Sequence, residues 1–155
     1  MTDRPALDPA VRGALQRVEL RGPATQEDVQ AAVSAATRPL PDDYLAFLQV
    51  SNGAEGWVGE NYLQIASARD AADTTTAFAE FVPGLFFFAG DGAAGLFAFD
   101  LRDDVRRVVI THTDDLNFEG LVYAAESFTA FLRFLERTDW SKFWYEQRTA
   151  RHSDT

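Results

Sequence analysis

The 155-residue chain contains no cysteine, which excludes disulfides, thiolate metal sites and a cysteine nucleophile but identifies no redox compartment. Histidine is almost as scarce. Of the two present, His152 stands near the C-terminus, which leaves His112 as the only histidine in the body of the chain. A zinc site needs three or four converging ligands, and general-base chemistry needs a base set against a substrate. One histidine among scattered acids supplies neither. Val108, Ile110 and His112 alternate, so His112 shares a strand face with apolar residues and reads as a packed or hydrogen-bonded side chain, with Asp114 two residues on. No serine stands in a nucleophile-elbow context. The sequence is read as non-enzymatic and without a cofactor.

Long apolar runs are also missing. Hydrophobic residues make up 46% of the chain, yet none of their runs approaches the roughly 20 residues of a membrane helix. The opening MTDRPALDPA has no apolar signal core. The expectation is a cytoplasmic protein that does not enter a membrane. About two-thirds of the unfolded surface is buried at this length, enough for one core. A single domain is expected over 1–148, followed by a disordered tail over 149–155.

Positive charge is scarce where it would matter most. Between Pro41 and Glu126 there are 15 acids against four arginines, a net of −11, while the flanking segments carry nine acids and ten bases, so the whole comes to −10. Such a middle segment repels nucleic acid and anionic lipid, whose binding needs clustered Lys and Arg. Its natural complement is a basic protein partner. The plainer alternative is that these acids keep the protein soluble.

What is present reads as helices first, then strands, then helix. Asp8-Pro9 opens a short helix expected to reach about Val18, and RGPA from Arg21 breaks it. Thr25 is the expected N-cap of a second helix, with Glu27 and Asp28 in its first turn. A third begins at Pro41, carries Tyr44, Leu45, Phe47 and Leu48 on one stripe, and stops at Asn52-Gly53. Strands are expected near 62–66, 85–89, 96–99, 106–111 and 121–123. The run Phe86-Phe87-Phe88 is too apolar for a wet face and reads as a central strand. SARDAADTTTAFAEF, between the first two strands, is either a helix or an ordered crossover. A helix from Ser127 to Arg137, with Phe128, Phe131, Leu132 and Leu135 three and four apart, and another from Asp139, close the chain. The fold class is α+β: a largely antiparallel sheet of about five to six strands, with N-terminal helices and a C-terminal helix packed on it.

Two spacings invite a ligand. Gly90, Gly92 and Gly95 fit a dinucleotide-binding turn. LFAFD follows with strand character where a helix N-terminus is needed, and Asp91 would repel phosphate, so a hairpin loop is expected. Asp115, Asn117, Glu119, Gly120 and Glu126 occupy calcium-loop positions 1, 3, 5, 6 and 12. RRVVITHTD before them reads as a strand, however, whereas such a loop follows a helix. An acidic turn between strands is the alternative.

Leu40-Pro41, Tyr44, Phe47-Leu48 and Asn52-Gly53, then Pro83-Gly84 with Gly90-Asp91-Gly92, then Asp100, then Ser127-Phe128 with Phe131-Leu132, together resemble the SUKH superfamily of Smi/Knr-type proteins. The resemblance spans about 25–136 and assigns Glu126 to the start of the last helix. It implies a non-enzymatic protein-binding domain, a bacterial immunity protein that neutralises a cognate toxin, often a nuclease, by occluding its basic groove, or an intracellular regulatory scaffold. The partner-binding candidates, taken from charge and expected loop position, are Glu55, Trp57, Glu60, Asp70, Asp73, Asp103, Asp104, Asp114, Asp115 and Glu119. Trp57, in the Gly-rich acidic stretch NGAEGWVGENY, is either an apolar anchor within an anionic rim or a cover for the edge of the core. The cluster Trp140, Phe143, Trp144 and Tyr145 either packs a helix onto the sheet or forms a self-association patch.

Overall fold

A computed structural model describes residues 7–153. Helices α1 (Pro9–Ala14), α2 (Gln26–Ala35) and α3 (Asp42–Val50) alternate with β1 (Arg17–Leu20) before the hairpin of β2 (Ala54–Val58) and β3 (Asn61–Ile65). Helix α4 (Ala68–Phe78) leads into β4 (Leu85–Gly90), β5 (Gly95–Asp100), β6 (Val108–His112), a 3-10 turn at Phe118–Gly120 and β7 (Val122–Ala125). Helices α5 (Phe128–Arg137) and α6 (Trp140–Ser153) finish the described chain. All seven strands form one antiparallel sheet in sequence order, β1 to β7.

The architecture is α+β as expected, with one strand more than the upper count. The additional strands are β1 and β2. The first was absorbed into the expected N-terminal helix, which ends at Ala14. The second was hidden by Gly56, which interrupts the alternation that marks a strand. That glycine is required: a Cβ there would stand 2.4 Å from the Arg17 carbonyl oxygen, because β1 passes directly beside it. The stretch between β3 and β4 resolves in favour of a helix, capped by Ser67, whose hydroxyl accepts from Asp70 N at 3.1 Å. Strand β6 starts two residues later than expected because Arg106 sits at φ +58°, a backbone that cannot continue a strand. Helix α6 runs to Ser153, through most of the segment expected to be a disordered tail. Residues 154–155, and residues 1–6 at the other end, lie outside the described residues.

Pairing parity gives the sheet two different faces. On one, Phe86, Phe88, Phe97, Phe99, Val108 and Ile110 meet Tyr44 and Phe47 of α3 and Phe128 and Phe131 of α5, all at 5% exposure or less. Rings stack and cross here, with Phe88 and Phe99 parallel at 4.2 Å and Tyr44 edge-on to Phe99 at 5.1 Å. Burying aromatic side chains of this size supplies most of the driving force. The other face is covered only in part. Phe78 of α4 crosses Phe87 at 5.2 Å, and Val82 and Leu121 close over Ala98 and Val109. Over β1, β2 and β3 that face stays open, carrying Glu19, Glu55, Trp57, Tyr62 and Gln64.

Several residues of the expected motif order are joints of this frame. The Asn52 side-chain oxygen accepts from Ala68 N at 2.8 Å and so helps cap α4. Gly53, at φ +93°, brings its backbone so close that a Cβ would meet the Ile65 carbonyl oxygen at 2.8 Å. Asp43 Oδ2 accepts from both N and Oγ1 of Thr129, each at 2.9 Å, which ties α3 to the start of α5. Among the described residues no helix is long and apolar enough to cross a membrane.

Candidate functional site

The open face of β1–β3 begins with a local rule: on an antiparallel pair, residues opposite each other share a face. Arg17, Trp57 and Tyr62 therefore form one cross-strand row, and Glu19, Glu55 and Gln64 the next. Trp57 is 45% exposed and stands edge-on to Tyr62 at 5.3 Å. The Tyr62 hydroxyl donates to Glu55 Oε2, and Gln64 Nε2 donates to Glu55 Oε1 at 2.8 Å. The hydrogen bond to Glu55 raises the phenol of Tyr62 above its ordinary value, with burial and the Glu55 charge acting in the same direction. Glu55 is thus an oriented carboxylate on an exposed surface.

Beside it lies a groove of about 270 Å³ between β3 and α4. Glu55 and Gln64 line it from the strands and Ser67, Asp70 and Thr74 from the start of α4, with Arg21, Phe87 and Gly90 among its remaining lining residues. The carboxylate of Asp70 has no hydrogen bond or ion pair among the described residues, and neither has the guanidinium of Arg21. Arg69, next to Asp70, is turned to Asp28 at 2.8 Å. The Thr25 hydrogen bond, followed by that of Arg69, holds the Asp28 carboxyl below its ordinary value.

Of the ten residues picked from the sequence, Glu55, Trp57 and Asp70 come together on this surface, with Asp73 exposed on the same helix. The others lie elsewhere. Glu60, in the β2–β3 turn, lines a groove with Glu136 and Asp139 at the α5–α6 junction. Asp103 and Asp104 belong to the β5–β6 loop, where Asp103 accepts from Val105 N at 2.9 Å and Asp104 pairs with Arg38 at 2.8 Å. Arg106 pins the same loop to the start of α3 by donating to the Pro39 and Leu40 carbonyls at 3.3 and 3.4 Å. Asp114 and Asp115 follow β6, and Glu119 lines a groove with Arg102, Phe118 and Tyr123. In that groove Asp100 is held by two guanidinium hydrogen bonds from Arg102, both 2.9 Å. Burial works to raise its carboxyl, but the Arg102 bonds and the charges of Arg102 and Arg107 outweigh it and keep Asp100 below the ordinary value.

The segment with calcium-loop spacing is internally bonded. Asp115 pairs with Arg148 of α6 at 2.5 Å and accepts from Asn117 at 2.6 Å, while the Asn117 oxygen caps Gly120 N at 2.8 Å. Among the described residues no three His, Cys, Asp or Glu side chains are grouped to hold an ion. His112 ends β6 stacked on Trp144 at 5.4 Å, with Asp114 3.6 Å from Nδ1, a packed histidine as its alternation implied. The glycine pattern is a hairpin. Asp91 Oδ1 accepts from Ala93 N and Gly95 N at 2.9 and 3.0 Å, Gly92 supplies a φ of +82°, and Gly95 makes room for Trp140, which a Cβ would meet at 2.3 Å. The α6 aromatics accordingly pack the helix down: Trp140 crosses Phe97 at 5.4 Å and Phe143 crosses Phe134 at 4.9 Å. Tyr145 alone of the four faces solvent.

Tyr62 and Gln64 were missed as site residues. Their signal was the alternation NYLQI, in which Tyr and Gln share the face opposite Leu63 and Ile65. Compared with known proteins, the chain matches the sequence model of the SMI1 / KNR4 family (SUKH-1) over residues 23–133. No curated protein matches it.

Proposed function

Because the chain belongs to the SMI1 / KNR4 family (SUKH-1), we propose that it is a non-enzymatic protein-binding domain, an immunity protein that binds a cognate toxin and occludes its basic, nucleic-acid-binding groove. The observation that carries the reading is the open β1–β3 face, where a half-exposed Trp57 stands beside an oriented Glu55 in a segment of net charge −11. Charge of one sign speeds encounter with a basic partner, and a large ring at the centre of the contact slows release. The acids of the β5–β6 and β6–β7 loops lie outside that face and act on the approach.

The test uses the product of a toxin-like gene neighbouring this one. Stoichiometric inhibition at a one-to-one ratio, with association that slows steeply as salt rises, is the expected result. Trp57→Ala then weakens binding by about 2 kcal/mol, roughly thirtyfold, mainly through faster dissociation. Double charge reversal at Asp103 and Asp104 lowers the association rate and flattens its salt dependence; unchanged association at low salt removes those two residues from the approach. Reproducible binding of host proteins without inhibition of any toxin favours the second reading, a regulatory scaffold of the same family.

A further inference from the structure

The groove between β3 and α4 has a definite chemistry. We propose that it receives an arginine side chain from a peptide segment of the protein partner, a specification that rests on the protein-binding reading above. Four observations converge on this occupant. Glu55 presents a carboxylate whose two oxygens each take one hydrogen bond, from Tyr62 and from Gln64, which leaves one acceptor site on each oxygen for the two-pronged guanidinium. Asp70, at the start of α4, carries a carboxylate with no hydrogen bond or ion pair among the described residues.

Among the described residues no cation pairs with either acid. Arg21 lines the groove without reaching an ion-pair distance to either acid, and Arg69 is committed to Asp28. The exposed indole of Trp57 is outside the groove's lining and borders it on the β2 side, two residues along from Glu55 on the same face and edge-on to Tyr62. A planar, weakly hydrated guanidinium stacks on such a ring and bonds a carboxylate with its edge, whereas an ammonium does the first less well and cannot do the second in two-pronged fashion. Arg21 gives the site its peptide character, since its free donors suit a main-chain carbonyl next to the incoming arginine.

The test needs no toxin. The ¹⁵N-labelled protein is titrated with N-acetyl-arginine N-methylamide, and in parallel with the corresponding lysine and citrulline compounds. The expected result is saturable shifts of the Gln64 side-chain amide, the Trp57 indole N–H and the Ser67–Asp70 amides with arginine, at least about fivefold weaker binding of lysine, and none of citrulline. Asp70→Asn weakens arginine binding by about tenfold. Because that carboxylate has no hydrogen bond or ion pair among the described residues, a melting temperature close to that of wild type shows that the fold is intact. Glu55→Gln weakens it similarly, with the Tyr62 phenol titrating at lower pH as an independent sign that the network has changed. Failure to saturate, shifts confined to other surfaces, or equal binding of citrulline overturns the proposal. So does a toxin inhibited equally well by wild type, Asp70→Asn and Trp57→Ala, which would leave immunity standing and move its contact elsewhere. Arginine binding at the groove without inhibition of any toxin supports the pocket and refutes the immunity reading.

Discussion

Replacing Tyr44 by Phe should make the protein more stable. Tyr44 is fully buried, and its ring lies within 6 Å of four phenylalanines, Phe86, Phe88, Phe99 and Phe128. Its hydroxyl has no hydrogen-bond partner among the described residues, and burial pushes its ionisation far above the ordinary phenol range. An unbonded buried hydroxyl costs about 1–3 kcal/mol. The variant keeps every ring contact and leaves a gap smaller than a methyl group, a loss under about 0.5 kcal/mol at roughly 24 cal/mol per Å³. The net gain is about 1 kcal/mol, equivalent to about 2–4 °C in melting temperature for a chain of this size. Urea unfolding measures it directly: the midpoint rises by about 0.5 M while the slope stays unchanged. Phe47→Ala, which does remove core contacts, loses about 3–5 kcal/mol in the same assay. A midpoint that falls for Tyr44→Phe by the equivalent of about 1 kcal/mol would refute the reasoning, because it would mean that the hydroxyl is bonded in the native state.

Asp43→Ala removes the acceptor for both Thr129 donors and should cost about 2 kcal/mol, with Asp43→Asn recovering part of it; equal stability of all three proteins in urea would contradict that tie between α3 and α5. Gly95→Ala drives a methyl group into Trp140 and should lower stability by about 1–3 kcal/mol, with a change in tryptophan emission, whereas Gly22→Ala, where a Cβ meets nothing within 4 Å, should not. Asp100 has a depressed carboxyl, so it contributes stability that is present above the unfolded carboxylate value of about 4 and is lost as pH falls through the lower folded value. Asp100→Asn should therefore be less stable than wild type at neutral pH, and the gap should close as the solution is acidified. Parallel unfolding curves from pH 7 to pH 2 would remove Asp100 from the acid response.

The buried half of the fold was legible because it is written in periodicity. Tyr44, Phe47 and Leu48 mark α3, the Phe86–Phe88 run marks a strand buried on both faces, and Phe128, Phe131, Leu132 and Leu135 mark α5. In the open half only β3 was legible, expected near 62–66 and found at Asn61–Ile65. Strand β1 has four residues of which Val18 alone is buried, and β2 carries a glycine where alternation would need a side chain. Both are held by pairing with their neighbours, a tertiary effect that a local pattern does not contain. The site followed the same division. Of the acids named on charge, Glu55 and Asp70 line the groove, whereas Asp103, Asp104, Asp114, Asp115 and Glu119, 33 to 64 positions further along the chain, were grouped with them by sign alone, and the strand order separates those from the groove. Tyr62 and Gln64 became visible as site residues only once β2 and β3 had been placed side by side in register.

Over β1, β2 and β3 the apolar core lies on one side of the sheet only, which frees the other side there from most duty to the fold. In the rows formed by Glu19, Glu55 and Gln64 and by Arg17, Trp57 and Tyr62, the exposed positions Arg17, Glu19, Trp57 and Gln64 can be rewritten one residue at a time at a cost within about 0.5 kcal/mol, whereas Glu55 and Tyr62 are half-buried and hydrogen-bonded to each other. On the partner-binding reading proposed above, recognition can then drift while the phenylalanines beneath remain fixed. For the protein engineer the four exposed positions are the ones to randomise, since a library built there explores new specificities without first having to rescue the fold.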